Sequence, residues 1–377
     1  MKDQAKRTDI KFMKEALRLA ARAAGRTSPD PMVGAVLVKN GRTIGSGYHG
    51  EVTTPHAEAW AIEKAAERHG HASPRGATLY VNLEPCCFFW GKNNPPCSST
   101  IIKAGIKRVV VAMQDPNPSV SGKGFAELKK AGIHVEVGLL EEEAKRLNEI
   151  FIKYITTGLP FVFLKSAMSL DGKIATKKGE SFWISGPESR KRAHHLRNIV
   201  DAVLVGINTI VKDDPRLTVR DIKNKAKNPL KIILDPKARI PLRAKVLQIE
   251  PENAIIVVSS KAPRSKIKKI EEKMARVLKI KNNKNGFDMP ALMKELGKRK
   301  ITSVLVEGGG TTNSRCLEAG VVDKVAFFVA PKMIGGSKAP TPFEGGGIRK
   351  LGEAIRLKDM TTQRLGEDIL IEGYILH

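Results

Sequence analysis

The spacing of apolar residues changes period several times along the chain, and each change marks an element. Between Asp9 and Ala24, Ile10, Met13, Leu17, Ala20 and Ala24 fall on one stripe, the pattern of an amphipathic helix with Thr8 placed as its cap. Val33 to Lys39 and Arg42 to Tyr48 are short apolar runs joined by Asn40-Gly41, a strong signal for a type I′ hairpin. His56 opens a helical stretch to about Arg68, stopped by Gly70. Ala77 to Leu83 is a strand that delivers Cys86. A helix near Thr100 to Ala104, a strand at Arg108 to Met113, a helix at Gly124 to Ala131, a strand at His134 to Val137 and a helix at Glu141 to Lys153 complete an α/β layer.

Ile155 to Pro160 has the composition of a hinge, which divides the chain into residues 1–155 and 156–377. The second part is again α/β, with apolar strands at Phe161 to Ala167, Asp201 to Gly206 and Ser303 to Val306. The last of these runs into Glu307-Gly308-Gly309-Gly310-Thr311-Thr312-Asn313. Glycines between a strand and a helix let backbone N–H groups reach an anion such as a cofactor phosphate, and a plain tight turn is the alternative. Lys261 to Lys284 carries ten basic residues against Glu271 and Glu272. Ile267, Ile270, Met274 and Val277 recur there at helical spacing, which predicts a solvated amphipathic helix.

Composition narrows the function. At 377 residues with 41 % hydrophobic content, the chain has material for two sizeable cores. No run approaches the length of a membrane span, and the first seven residues have no apolar stretch behind them. Four cysteines, three of them close together, make no disulfide framework and point to a reducing cytoplasm. The net charge of +26 would suit nucleic acid, a membrane surface or phosphorylated substrates. It is spread along the chain, and aromatic residues at 5 % leave little for stacking on bases, which argues against nucleic acid.

The chemistry concentrates in Pro55-His56-Ala57-Glu58, Glu84-Pro85-Cys86-Cys87 and Pro95-Pro96-Cys97. A histidine, a carboxylate two residues on and two Pro-Cys steps are the parts of a zinc hydrolytic deaminase. Two thiolates and a neutral imidazole make a net-neutral site whose open fourth position holds a water, its pKa lowered towards about 7. His56, Cys86 and Cys97 are the expected ligands. Glu58, at a helix start, lies beside that water without binding metal and passes its proton to a departing amine. A structural zinc site completed by Cys87 is the alternative, and it gives Glu58 no role. Cys86 is preferred to Cys87 because it follows proline, and a helix beginning at Cys86 would favour its thiolate.

Thr27-Ser28-Pro29-Asp30-Pro31-Met32-Val33-Gly34, His56-Ala57-Glu58, the Pro-Cys pair and Asp115-Pro116-Asn117-Pro118 together resemble the deaminase half of the bifunctional riboflavin-biosynthesis deaminase/reductases. The resemblance implies a cytidine-deaminase-like three-layer α/β domain. It also implies zinc on His56, Cys86 and Cys97, proton transfer by Glu58, and a diaminopyrimidinone ribosylamino phosphate that loses its 2-amino group. Asp30 stands where the family usually has Asn, and ten residues rather than eight separate Cys86 from Cys97. Lys92 stands where the family's basic residue would meet the phosphate, a solvated loop lysine being the alternative.

Lys165 to Gly172, Gly179 to Ile184, Gly206 to Thr209, Asp213 to Arg220 and Glu307-Gly308-Gly309 look like the reductase half of the same family, whose fold is similar to dihydrofolate reductase. This implies hydride transfer from NADPH that opens the ribosyl group to a ribityl chain. By motif position, Ala167, Trp183, Thr209, Asp213, Gly309, Gly310, Thr311, Thr312 and Asn313 would meet NADPH. Ser181, Arg197, Leu217, Arg220 and Glu307 would meet the substrate, the two arginines suiting phosphate by their forked donors. Pro236 stands where the family often has Ser. Singly, Asp213-Asp214-Pro215 could be a turn, Arg197 a surface charge and Trp183 a core aromatic. Lys165, Asp213 and Glu307 are the ionisable groups available to assist ring opening. The expected protein is a cytoplasmic homo-oligomer using zinc and NADPH on a phosphorylated pyrimidine, with no membrane partner. A reductase with an inactive first domain and a zinc-stabilised nucleic-acid-binding module are the alternatives.

Overall fold

The computed structural model describes residues 2–88, 95–222, 226–283 and 286–376, the side chains of residues 2–5 excepted. They fall into two compact units, residues 1–158 and 159–377.

The first unit runs α1 (Lys2–Ala21), β1 (Gly34–Lys39), β2 (Arg42–Tyr48), α2 (Ala57–His69), β3 (Thr78–Leu83), α3 (Cys97–Lys103), β4 (Arg108–Met113), α4 (Lys123–Lys130), β5 (His134–Val137), α5 (Glu141–Leu147) and α6 (Glu149–Thr157). Its five strands lie in the order β2-β1-β3-β4-β5. Alternation along β1 builds a three-layer core. Ala35 and Leu37 pack with Ala57, Ala61 and Ile101 on one face, while Val36 and Val38 pack with Phe12, Met13 and Ala144 on the other. Asn40 and Gly41 both hold positive φ, 50° and 72°, as the hairpin requires. Gly45 and Gly47 on β2 admit α2 at close range: a Cβ on Gly47 would lie 2.5 Å from the Trp60 Cβ and 2.7 Å from the Ala57 carbonyl. The helix that carries Glu58 is thereby set against the sheet.

Three expectations about this unit change. The first helix begins at Lys2, so Thr8 is inside it and not its cap. No helix begins at Cys86; the helix that follows the motif starts at Cys97, with Pro96 as its N-cap. The stretch from Glu141 is two helices broken at Asn148, whose buried amide accepts from the Met32 N–H at 2.8 Å and donates to the Met32 carbonyl at 3.0 Å. A side chain used to hold another segment's backbone overrides helix propensity there.

The second unit runs β6 (Phe161–Ser169), α7 (Pro187–Ile199), β7 (Ala202–Gly206), α8 (Ile207–Asp213), β8 (Leu230–Leu234), β9 (Ala254–Ser259), α9 (Arg264–Glu271), β10 (Arg276–Ile280), the two-residue strands β11 (Asn282–Asn283) and β12 (Gly286–Phe287), α10 (Met289–Lys298), β13 (Ser303–Val306), α11 (Gly310–Glu318), β14 (Lys324–Ala330), β15 (Leu357–Leu365) and β16 (Asp368–Ile375). Nine strands form one sheet in the order β10-β9-β8-β7-β13-β6-β14-β16-β15. All pairings from β10 to β14 are parallel, and β16 and β15 add an antiparallel edge. The single helix expected through Lys261 to Lys284 is instead α9 followed by a strand. Met274 sits in a left-handed turn at φ 66°, 69 % exposed, and Val277 pairs with Ile256 of β9. Apolar residues at Val277, Leu278 and Ile280 fit a strand as well as a helix face, and pairing decided between them.

In the open parallel sheet, β6, β7 and β13 are neighbours, so Lys165, Gly206 and Glu307 gather towards the carboxyl ends of adjacent strands, where such sheets place their ligands. No helix among the described residues is long and apolar enough to cross a membrane.

Candidate active sites

In the first unit the motif residues converge. His56 is the N-cap of α2, Cys97 the first residue of α3, and Cys86 lies in the segment after β3. His56 Nδ1 is 3.1 Å from Cys97 Sγ and 3.4 Å from Cys86 Sγ. The three donor atoms lie within 4.8 Å of one another, the one such group among the described residues. Two sulfurs and an imidazole nitrogen at this spacing fit a borderline-soft cation such as zinc. Cys87 is not with them: its thiol is buried, points to the Ser119 carbonyl at 3.9 Å, and is pushed up by burial and by Glu127.

The surrounding chain fixes this geometry. The buried Glu84 carboxylate accepts N–H groups from Asp115, Gly122 and Phe125 at 3.0–3.3 Å, tying the end of β3 to the start of α4. The Ser98 N–H donates to the Cys86 carbonyl at 3.2 Å. Glu58, one residue into α2, is buried; burial and the neighbouring Cys86 push its carboxyl above the usual range, against the pull of His56. Asp30 Oδ2 lies 3.5 Å from His49 Nε2, and the His49 ring meets His56 edge-on at 5.4 Å. Phe88 is exposed, while Phe89, Trp90 and Lys92 lie outside the described residues.

The second unit has two adjoining cavities. The larger, about 550 Å³, is lined by Lys165, Ala167, Ser181, Trp183, Arg197, Leu217, Arg220, Glu307 and Asn313. The other, about 350 Å³, is lined by Gly310, Thr311 and Thr312 at the start of α11, with Lys212, Arg239 and Arg315. Ser181, Thr209, Asp213 and Gly309 line both. A helix start with glycines, rimmed by three cations, suits the phosphates of a dinucleotide. A Cβ at Gly206 would come 2.5 Å from Thr312 Oγ1, so this close strand-to-helix approach needs glycine. Pro236 also lines the cofactor-side cavity.

Every residue that the resemblance assigned to the cofactor or the reductase substrate lines one of the two cavities, and two of the alternatives fall away. Trp183 is 59 % exposed and is not a core aromatic. Arg197 is not a surface charge: its Nε and Nη2 donate to the two oxygens of Glu307 at 2.6 and 2.7 Å, and its Nη1 to the Thr218 carbonyl at 3.1 Å. The fork expected to meet phosphate is therefore occupied. Burial raises the Glu307 carboxyl, but the Arg197 charge and hydrogen bonds, with Lys165, outweigh it and hold it at about 2. Burial likewise lowers Lys165, against the pull of Glu307. Asp213 is raised by burial.

Sequence reasoning missed Arg190 and His194, which line the larger cavity with Arg197. The signal was available: the three recur at i, i+4 and i+7 on α7, one helical face. His194 Nδ1 accepts the Arg220 backbone N–H at 3.3 Å, pinning the loop that carries Leu217 and Arg220. Burial, then Arg197 and Arg220, push this imidazole down to about 4, against Glu307 and Asp221. Unfolded, it would take its proton near 6.5. The unfolded chain thus binds the extra proton between those values, and the stability conferred by neutral His194 is whole above 6.5 and lost as pH falls towards 4. His194→Gln is expected to flatten that part of the curve of thermal midpoint against pH, measured by calorimetry; a variant curve as steep as the wild type's would show that another group titrates.

Comparison with known proteins bears on both units. Residues 6–113 match the profile of the cytidine and deoxycytidylate deaminase zinc-binding region, and residues 160–371 match that of the RibD C-terminal domain. The chain is 46 % identical over 363 residues to the riboflavin biosynthesis protein RibD of Aquifex aeolicus, covering 96 % of this chain and 97 % of that one. To the Escherichia coli K12 protein of the same name it is 37 % identical over 374 residues, covering 96 % and 98 %. Among solved structures, Acinetobacter baumannii RibD, form 1, is similar with a TM-score of 0.87 at 37 % identity, over 99 % of this chain and 100 % of that one. A diaminohydroxyphosphoribosylaminopyrimidine deaminase/5-amino-6-(5-phosphoribosylamino)uracil reductase from Thermotoga maritima gives 0.84 at 36 % identity, over 99 % and 100 %.

Proposed function

The chain belongs to the RibD family of bifunctional riboflavin-biosynthesis deaminase/reductases, and on that premise we propose how its residues share the two reactions. It is a zinc-dependent deaminase and an NADPH-dependent reductase in one polypeptide. We assign deamination to residues 1–155 and reduction to residues 156–377.

The observation that carries the deaminase assignment is the convergence of two thiols and an imidazole beside a buried carboxyl that is not one of them. His56, Cys86 and Cys97 would hold zinc, which would supply a Lewis acid that makes water acidic. Glu58 holds the proton that this water gives up and delivers it to the nitrogen of the leaving 2-amino group. Its carboxyl, buried beside the three donors and not one of them, can both take and give a proton. Asp30, beside His49, faces the pyrimidinone where relatives present an amide.

On the reductase side NADPH supplies the hydride. Ala167, Trp183, Thr209, Asp213 and the Gly309 to Asn313 stretch bind it, and Ser181, Leu217, Arg220 and Glu307 bind the substrate. The ionisable groups now separate by role. Glu307, held ionised by Arg197, cannot serve as an acid near neutrality. Lys165, whose ammonium is weakened by burial, gives its proton to the sugar ring oxygen as the ring opens. Glu307 holds that ammonium by its opposite charge, and Arg197 fixes Glu307.

The reading extends to a cytoplasmic homo-oligomer. Supporting it are four cysteines without a disulfide and β15, a nine-residue edge strand exposed along most of its length with Met360 57 % exposed. Sedimentation velocity measures the assembly. The two alternatives, a reductase with an inert first domain and a nucleic-acid-binding module, are not favoured by full-length similarity to deaminase/reductases.

Zinc-loaded protein given the diaminopyrimidinone ribosylamino phosphate without NADPH is expected to release ammonia. Adding NADPH should then oxidise it in amounts equal to the ammonia already formed. NADPH oxidation with the deaminated substrate, but no ammonia from the diamino one, would leave a reductase carrying an inert zinc domain.

A further inference from the structure

The larger reductase cavity carries positive charge that its carboxylates do not neutralise by contact. Arg197 is committed to Glu307 through its fork and to Thr218 through Nη1. Arg190, two turns earlier on the same face of α7, is free of such a commitment: among the described residues no carboxylate lies within ion-pair distance of it. Its guanidinium lies 4.6 Å from the centre of the Trp183 ring, and Nη1 donates to the Ser185 carbonyl at 2.7 Å. Stacking on one side and a backbone acceptor at one nitrogen fix the plane of the group. The other N–H groups meet no acceptor among the described residues, so a planar fork is held ready with its free edge at the cavity.

Arg220 stands in the same cavity, likewise without a carboxylate at ion-pair distance among the described residues, on the loop that His194 pins from α7. Two guanidiniums without a carboxylate partner in one cavity, that of Arg190 fixed in its plane, suit a dianion with three terminal oxygens. The cofactor has its own cations in the adjoining cavity, Lys212, Arg239 and Arg315, beyond Thr209 and Gly309. The anion met by Arg190 is therefore the substrate's.

We propose that Arg190, together with Arg220, binds the terminal sugar phosphate of the reductase substrate, while Arg197 serves to hold Glu307. This rests on the reductase reading above. Arg190 is thus a substrate-binding residue, and its contribution is to affinity for the phosphorylated form and not to the hydride step.

The test uses the full chain and two readouts, one of which needs no turnover. Calorimetry with ribose 5-phosphate and with ribose is expected to show binding of the phosphate alone by the wild type. Arg190→Gln should weaken that binding, and raise KM for the phosphorylated substrate, by about tenfold or more. The turnover number should stay within about twofold and KM for NADPH should not move, as for loss of a binding contact. The preference for phosphorylated over dephosphorylated substrate should shrink by the same factor as KM rises. Arg190→Lys, which keeps charge and loses the fork, should fall between. Unchanged ribose 5-phosphate binding with a raised KM for NADPH would overturn the proposal and assign Arg190 to the cofactor. An equal loss on both substrates, the phosphate preference retained, would also overturn it, as would a wild type that does not bind ribose 5-phosphate. Failure of the wild type to oxidise NADPH with the family's substrate would count against the reductase reading, and the binding arm would still decide the role of Arg190.

Discussion

Replacing Glu58 by Gln is expected to lower ammonia release by about 10²–10⁴-fold, with zinc content and NADPH oxidation from the deaminated substrate both at the wild-type level. The separation of effects follows from where Glu58 sits. It is buried one residue into α2, next to His56, yet is not one of the three gathered donors, so an isosteric amide should leave His56, Cys86 and Cys97 together. What the amide lacks is a carboxylate oxygen that takes up and releases a proton, and that is the property a shuttle between water and a leaving amine requires. Metal analysis and an ammonia assay on the same preparation check it. A variant that loses zinc along with activity would make Glu58 part of the metal's support, and a variant with unchanged ammonia release would remove it from the chemistry.

Glu307→Gln should do the reverse, slowing reduction strongly and sparing deamination. Both carboxylate oxygens are bound by Arg197 at 2.6 and 2.7 Å, and Lys165 adds to the field that holds the carboxyl ionised to about 2. Neutralising it leaves two cations facing each other in a buried site with no counter-charge. Breaking one side of such a pair costs about 3–5 kcal/mol of stability, and loss of the oriented field should cost about 10²-fold or more in reduction. Thermal unfolding of the reductase unit and NADPH oxidation measure the two effects. Retention of both would mean that the Arg197 pair is structurally and chemically idle.

The legible parts of this protein were those written in neighbouring residues. His56-Ala57-Glu58 and the two Pro-Cys steps carry donor type and spacing in the sequence itself, and the Asn40-Gly41 turn and the alternation along β1 follow from local backbone preference. The illegible parts depend on partners distant in sequence. Asn148 breaks a helix because Met32, 116 residues away, uses its amide. Arg197 reads as a free fork until Glu307, 110 residues on, occupies it. The run from Lys261 divides into helix and strand because β9 offers an edge to pair with, and no periodicity within the run encodes that choice. Arg190 and His194 were within reach, since they repeat the face of Arg197, but a basic helix face is commonly solvated and sequence alone does not show the cavity beneath it.

The proposed division of deamination and reduction between two sites that act in succession is tested most directly by passing the intermediate between single-site variants. Glu307→Gln protein is incubated with the diaminopyrimidinone ribosylamino phosphate, ammonia is measured, and the isolated product is given with NADPH to Glu58→Gln protein. The expected result is wild-type ammonia release in the first step and NADPH oxidation in the second, although neither variant alone converts the diamino substrate to the reduced product. Loss of both activities in either variant would contradict it, because a residue of one site would then be required by the other.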